Sequence, residues 1–180
     1  MPSPLVAVFG SGSGTSEDLR RARALGSALA SAGYGVINGG YGGTMEASAR
    51  GAREAGGDAV GVTCAAFTFR SGANPHVCDV VEAATLIARM EELIHRASAY
   101  VVLPGGNGTL AELAVTWEHL RKGLLDGERP LVAWEEPWRR VLAPLVEGPH
   151  LPGGEEGIVW VDTVAEAVAA VESGVGASEE

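Results

Sequence analysis

The sequence predicts a single Rossmann-like α/β domain: a doubly wound, mostly parallel sheet with helices on both faces. Three observations predict it. Short apolar runs alternate along the chain with segments of helical period, joined by short loops. The apolar runs are continuous rather than alternating, as in strands buried on both sides. Glycine is frequent, 26 in 180 residues, and clusters where apolar runs end. Those are the places where tight turns and ligand loops need it.

The elements follow in order. Residues 5–9 read as the first strand and 17–32 as the first helix; 35–38 and 44–55 repeat the pair. A third strand at 59–63 is followed by an irregular stretch, 64–79, and a short strand at 80–81. Then come a helix at 85–98, a strongly apolar strand at 100–103, a helix at 109–122, a strand at 131–134, a helix at 138–146, a strand at 158–161 and a helix at 164–171. No linker or internal repeat divides the chain. Residues 1–174 are read as one nucleotide-binding domain, and 175–180 as a small acidic tail that frays.

The formal net charge of −10 repels a nucleic-acid polymer, while a small phosphate ligand is still held by a few backbone N–H groups at short range. No apolar run reaches the roughly 18 residues of a membrane span, and the start lacks the pattern of a secretory signal. The expectation is a cytoplasmic protein without a membrane partner. Cys64 and Cys78 read as two small residues in a reducing compartment, with a disulfide between them left open. Together with His76 they lack the spacing and the fourth ligand of a structural zinc site. Neither a metal nor a cofactor is expected.

In sheets of this kind ligands bind outside the carboxyl ends of the strands, at the switch point. Three glycine-rich stretches fall at such ends: 10–15, 39–44 and 105–109. Their convergence points to a ligand that carries phosphate. The first resembles a dinucleotide fingerprint, but Thr15 stands where its third glycine would be. The second strand also ends in Asn38 rather than in the acid that holds a ribose hydroxyl. No G-K-[ST] occurs, which excludes a Walker loop. Gly10 and Ser11 are thus either a plain turn or a ligand contact. In the second stretch, Gly39, Gly40, Gly42 and Gly43 lead into a helix that carries Thr44 and Glu46. It allows close backbone approach to a ligand, or it is a tight turn with Glu46 as a first-turn acid.

The third stretch, Gly105, Gly106, Asn107, Gly108 and Thr109, joins the strongest strand to an amphipathic helix. Free N–H groups at the helix start, with the Thr109 hydroxyl, make a phosphate cradle. Leu110, Leu113, Ala114, Trp117 and Leu120 form the apolar stripe, which leaves Glu112 on the other side, free to face a ligand. Thr109-x-x-Glu112 is equally the spacing of a capping box, repeated at Thr15…Asp18 and Thr163…Glu166, and on spacing alone the cap is favoured. Arg89 lies beside a stripe of Leu86, Met90, Leu93 and Ala97, where an arginine is ordinarily a solvated flank.

The stretch Pro104-Gly-Gly-Asn-Gly-Thr-Leu-Ala-Glu112 resembles the PGGxGTxxE signature of the LOG (Lonely Guy) family of phosphoribohydrolases, proteins long labelled "possible lysine decarboxylase". Residues 39–46 look like that family's second glycine-rich motif. Arg89 precedes Glu112 by 23 residues, the interval of the family's paired arginine and glutamate. The similarity runs from about residue 5 to 123. Two features depart: Met90 follows Arg89 where a lysine is common, and residues 38–46 read NGGYGGTME where many members have YGGGxxGLMG. The resemblance implies catalytic roles for Arg89 and Glu112 and cleavage of a nucleoside 5′-monophosphate at its glycosidic bond. The alternative is a carrier module of the same fold that binds a nucleotide or cofactor without hydrolysis. Decarboxylation on pyridoxal phosphate is not expected. Lys122 is the sole lysine, at a helix C-terminus where a solvated cation is ordinary. The resemblance also implies a homodimer, in accord with apolar helix surface at Met90, Leu93, Ile94 and Trp117 that a partner would cover.

Overall fold

The computed structural model describes residues 3–67, 72–149, 151 and 153–176. Seven strands, β1 (Leu5–Phe9), β2 (Gly35–Asn38), β3 (Ala59–Cys64), β4 (Asp79–Ala83), β5 (Ala99–Val102), β6 (Leu131–Trp134) and β7 (Ile158–Val161), form one sheet. Six helices connect or follow them: α1 (Ser16–Ser31), α2 (Thr44–Glu54), α3 (Leu86–Arg96), α4 (Asn107–Arg121), α5 (Glu135–Val146) and α6 (Val164–Gly176). Every strand pairing is parallel, in the order β4-β3-β2-β1-β5-β6-β7. The chain winds outward from β1 to β4, returns through α3 to β5 beside β1, and winds outward again. The direction reverses between β1 and β5, where Ala7 lies opposite Tyr100. This is the expected Rossmann-like α/β domain.

Successive residues of a strand face opposite sides, so each central strand feeds two cores. Phe9, Ile37, Tyr100, Val102 and Leu131 meet α3, α4 and α5 through Leu93, Leu113, Trp117 and Trp138. Val6, Val8, Val36, Val101 and Val132 meet α1, α2 and α6 through Leu25, Leu29, Ala52 and Val171. The edge strand β4 is covered on one side only, and Val80 is exposed. Helices α1 and α2 touch backbone to backbone. A Cβ at Gly26 would overlap the Ser48 carbonyl, and one at Gly51 would overlap the Arg23 carbonyl.

The elements differ from expectation mainly at their ends. Helix α6 runs on to Gly176 rather than to 171, and 177–180 lie outside the described residues. Helix α5 opens with a non-helical Glu136, so its regular part begins near the expected 138. Helix α4 starts at Asn107, two residues early, with Gly106 as its cap. Two of the three Thr-x-x-acid spacings form capping boxes. Thr15 N–H donates to Asp18 at 2.9 Å and Asp18 N–H to the Thr15 hydroxyl at 3.2 Å; Thr163 and Glu166 exchange the same bonds. The third does not, because Thr109 is already inside its helix. Both cysteines are free thiols. No helix among the described residues is long and apolar enough to cross a membrane.

Candidate active site

The three glycine stretches follow the carboxyl ends of β1, β2 and β5, the edge at which sheets of this kind bind ligands. Strands β1 and β2 hand their loops to each other. Thr44 N–H and the Thr44 hydroxyl both donate to the Ser11 carbonyl, at 2.9 and 3.1 Å. Gly43 adopts φ +69°, and a Cβ there would overlap the Ser11 carbonyl and Gly12. A Cβ at Gly10 would overlap the Thr44 hydroxyl. The glycines at 10 and 43 therefore serve first to let two loops interlock, and Thr44 spends its hydroxyl inside the protein.

Asn38, fully buried, organises the second loop. Its carbonyl oxygen accepts Gly40 N–H at 2.8 Å, and its amide donates to Met45 O and to the Ser48 hydroxyl. Asn74 closes the loop from outside, donating to the carbonyls of Gly40 and Tyr41. Sequence reasoning assigned neither asparagine a role. The readable signal at Asn38 was a lone amide ending an apolar strand, where only a fully paired polar group is tolerated.

The structure brings Arg89 and Glu112 together. Arg89 is not a solvated flank. It is 6% exposed, because the α3 stripe is turned so that Arg89, Met90, Leu93 and Ile94 face inward while Leu86 and Ile87 face out. Its Nε donates to Val62 O at 2.8 Å, and its Nη1 donates to Glu112 Oε1 at 3.3 Å. The Tyr41 and Phe67 rings lie 5.9 Å from the guanidinium. Glu112 sits on the inward face of α4 with Thr109, Leu113, Thr116 and Trp117, while Ala114, expected inside, is exposed. Burial pushes the Glu112 carboxyl up to about 7 from an ordinary 4.5, and the Arg89 guanidinium offsets that only in part.

Helix α4 begins differently from the other helices. Helices α1 and α6 are closed by capping boxes, α2 and α5 carry acids in the first turn, and α3 is capped by Thr85. Helix α4 has neither a side-chain cap nor an acid in its first turn. A Cβ at Gly106 or Gly108 would meet nothing within 4 Å, and Gly106, Asn107 and Gly108 are exposed. The Thr109 hydroxyl is buried and finds no hydrogen-bond partner among the described residues. Gly105 is tight against it, since a Cβ there would overlap that hydroxyl. Among the helix starts at this edge, α4 is the one arranged to receive an anion. Helix α2 already faces Glu46, half-buried in a separate groove of about 300 Å³ with Arg20, Arg23 and Arg50.

Fold and site together define a Rossmann-like α/β protein. At the carboxyl edge of its sheet a buried arginine–carboxylate couple stands beside a helix N-terminus without a side-chain cap. The chain belongs to the SLOG cluster4 family, whose model matches residues 3–128, in line with the resemblance carried by residues 104–112. A cytokinin riboside 5′-monophosphate phosphoribohydrolase of Mycobacterium tuberculosis is 33% identical over 174 residues, covering 92% of this chain and 91% of that protein. Among solved structures, the structural-genomics target TM1055 is 28% identical with a TM-score of 0.75, over 94% of this chain and 99% of that one. The molybdenum cofactor carrier protein of Chlamydomonas reinhardtii is 25% identical with a TM-score of 0.74, over 96% and 99%.

Proposed function

We propose that this protein is a cytoplasmic phosphoribohydrolase. It cleaves the N-glycosidic bond of a nucleoside 5′-monophosphate, of the AMP or cytokinin riboside type, to free base and ribose 5-phosphate. The observation that carries the reading is the buried Arg89–Glu112 pair beside the one helix start left open for an anion. The name of the mycobacterial relative supports it.

The 5′-phosphate is received by the N–H groups of Gly106, Asn107 and Gly108 and by the Thr109 hydroxyl, so that binding energy remote from the reacting carbon positions it. Glycosidic cleavage develops positive charge on the ribose ring. The Glu112 carboxylate stabilises that charge and takes a proton from the attacking water as the new C1′–O bond forms. The bond to the base breaks with its electron pair, and the base takes up a proton from solvent while Glu112 returns its own to water. The Arg89 guanidinium steadies the negative charge developing on the base; it is too weak an acid to be the proton donor. No cofactor enters these steps.

A carrier module is the second reading, favoured by the likeness to the Chlamydomonas cofactor carrier. One experiment separates the two. Incubation with AMP, followed by chromatography, yields adenine if the protein is a hydrolase; saturable binding with no adenine identifies a carrier. A panel of nucleotides then defines the base. We also propose that the working form is a homodimer. The residues first expected to need a partner, Met90, Leu93, Ile94 and Trp117, are buried within the chain. Exposed apolar side chains are instead spread over Val80, Leu124, Val141, Leu145, Val159 and the start of α3, where Leu86 and Ile87 stand side by side at 46% and 60% exposure.

A further inference from the structure

Sequence patterning groups Gly39 with the ligand-contacting glycines, but its neighbours are the side chains of Arg89 and Met45. A Cβ at position 39 would overlap Arg89 Nη2, and would stand 3.0 Å from Arg89 Cζ and 2.6 Å from Met45 Sδ. We propose that Gly39 is the slot through which Arg89 reaches Glu112, a positioning residue for the ion pair rather than part of the phosphate cradle. This rests on Arg89 and Glu112 being the working pair of the site.

The backbone at Gly39 is not left-handed, so glycine is not required there for conformational reasons. What requires it is space. The loop around Gly39 cannot withdraw, because Asn38 holds Gly40 from within and Asn74 holds Gly40 and Tyr41 from without. The yielding partner is the arginine head, the far end of a flexible side chain. Its place is otherwise closely defined: Nε on the Val62 carbonyl, Nη1 on Glu112, and the Tyr41 ring 5.9 Å away. The Tyr41 hydroxyl is itself fixed by Cys64 N–H at 2.9 Å. Among the described residues, the titratable group packed against the Arg89–Glu112 pair is Tyr41, from the loop after β2, with Cys64 at the end of β3 behind its hydroxyl. A methyl group at position 39 therefore displaces the guanidinium and leaves Glu112 buried without its counter-charge.

The test is Gly39→Ala, read first without turnover. In ¹³C NMR of the labelled side chain, the Glu112 carboxyl is expected to titrate at least about one unit higher in Gly39→Ala than in the wild type, since burial then acts unopposed. An unchanged midpoint in the folded variant overturns the slot. In the AMP assay, kcat is expected to fall about 10- to 100-fold with KM altered by less than about threefold. A loss confined to KM returns Gly39 to ligand contact and overturns the proposal. Arg89→Lys, whose head is a single nitrogen, is expected to lower kcat in the wild type and to cost nothing further in Gly39→Ala. If Gly39→Ala does not fold, Gly39→Ala/Arg89→Met is expected to, because the deepest overlap is with the arginine and Met45 Sδ, the other atom in the way, is near the far end of a flexible side chain. Failure of that double variant to fold overturns the slot as well. A wild type that releases no adenine sinks the hydrolase reading, while the carboxyl titration still decides the slot.

Discussion

At the scale of single residues, Glu112 and Thr109 carry the sharpest consequences. A carboxyl raised to about 7 takes up a proton on folding between its ordinary 4.5 and that value. The stability it contributes is therefore fully present below pH 4.5 and is lost as pH rises through 7, by about 3 kcal/mol. Glu112→Gln abolishes this loss while keeping an oxygen for Arg89 to donate to. Denaturation at pH 5 and pH 8 is expected to show wild type falling relative to the variant. Asp18, Glu54 and Glu166 are held below their ordinary values by hydrogen bonds from Thr15, Arg23 and Asp162 respectively, and they act with the opposite sign at lower pH. The same variant is expected to lower turnover of AMP by about 100-fold or more. Wild-type turnover is expected to rise with pH through about 7, as the carboxylate forms. A flat profile in that range would count against Glu112 as the base. Thr109→Val removes a hydroxyl that has no partner in the described protein. Its stability is expected to stay equal or rise, while AMP binding by calorimetry weakens about 10-fold and adenosine remains a poor substrate for wild type. Equal efficiency on adenosine and AMP would remove the phosphate anchor from the mechanism.

At the scale of elements, the site depends on the close approach of α1 and α2, which carry the first two glycine loops. Gly26→Ala places a methyl group onto the Ser48 carbonyl, backbone that cannot rotate away. A loss of roughly 3 kcal/mol is expected in chemical denaturation. An unchanged midpoint would mean that the helices separate freely. The start of α4 and the inward faces of α3 and α4 were the features least legible in the sequence. Strands and their order of appearance could be read because apolar runs and glycine ends are local signals. Thr109-x-x-Glu112 could not be resolved, since one spacing serves both a cap and a site, and what decides is where Gly106 lets the helix begin. The stripes read for α3 and α4 held at Met90, Leu93, Ala97, Leu113 and Trp117 but failed at Leu86 and Ala114, which are exposed, and left out Arg89 and Glu112. Arg89 and Glu112 are charged, and hydrophobic periodicity assigns charge to the outside. Their mutual pairing across two helices, invisible to periodicity, is what allows both to turn inward. The family motif singled out both residues where the pattern did not, and the structure pairs them.

At the scale of the whole molecule, the exposed Leu86 and Ile87 mark the face expected to meet a second copy. Sedimentation at micromolar concentration is expected to give a dimer, and Leu86→Asp/Ile87→Asp a monomer. A wild-type monomer that still releases adenine would dismiss the assembly. The open start of α4 also bears on how fast a ligand arrives. On the reading proposed above, its attraction for phosphate would come from backbone dipoles, which reach only a few ångströms, and no side chain of its first turn adds a charge to extend that reach. Beyond it, an approaching dianion meets the field of a chain with net charge −10. Capture and encounter thus oppose each other across a Debye length of about 10 Å at 0.1 M salt. Added salt screens the repulsion while leaving the short-range dipoles largely intact. In stopped flow, the association rate of AMP should climb with ionic strength, the reverse of the behaviour of a phosphate site built from arginine and lysine.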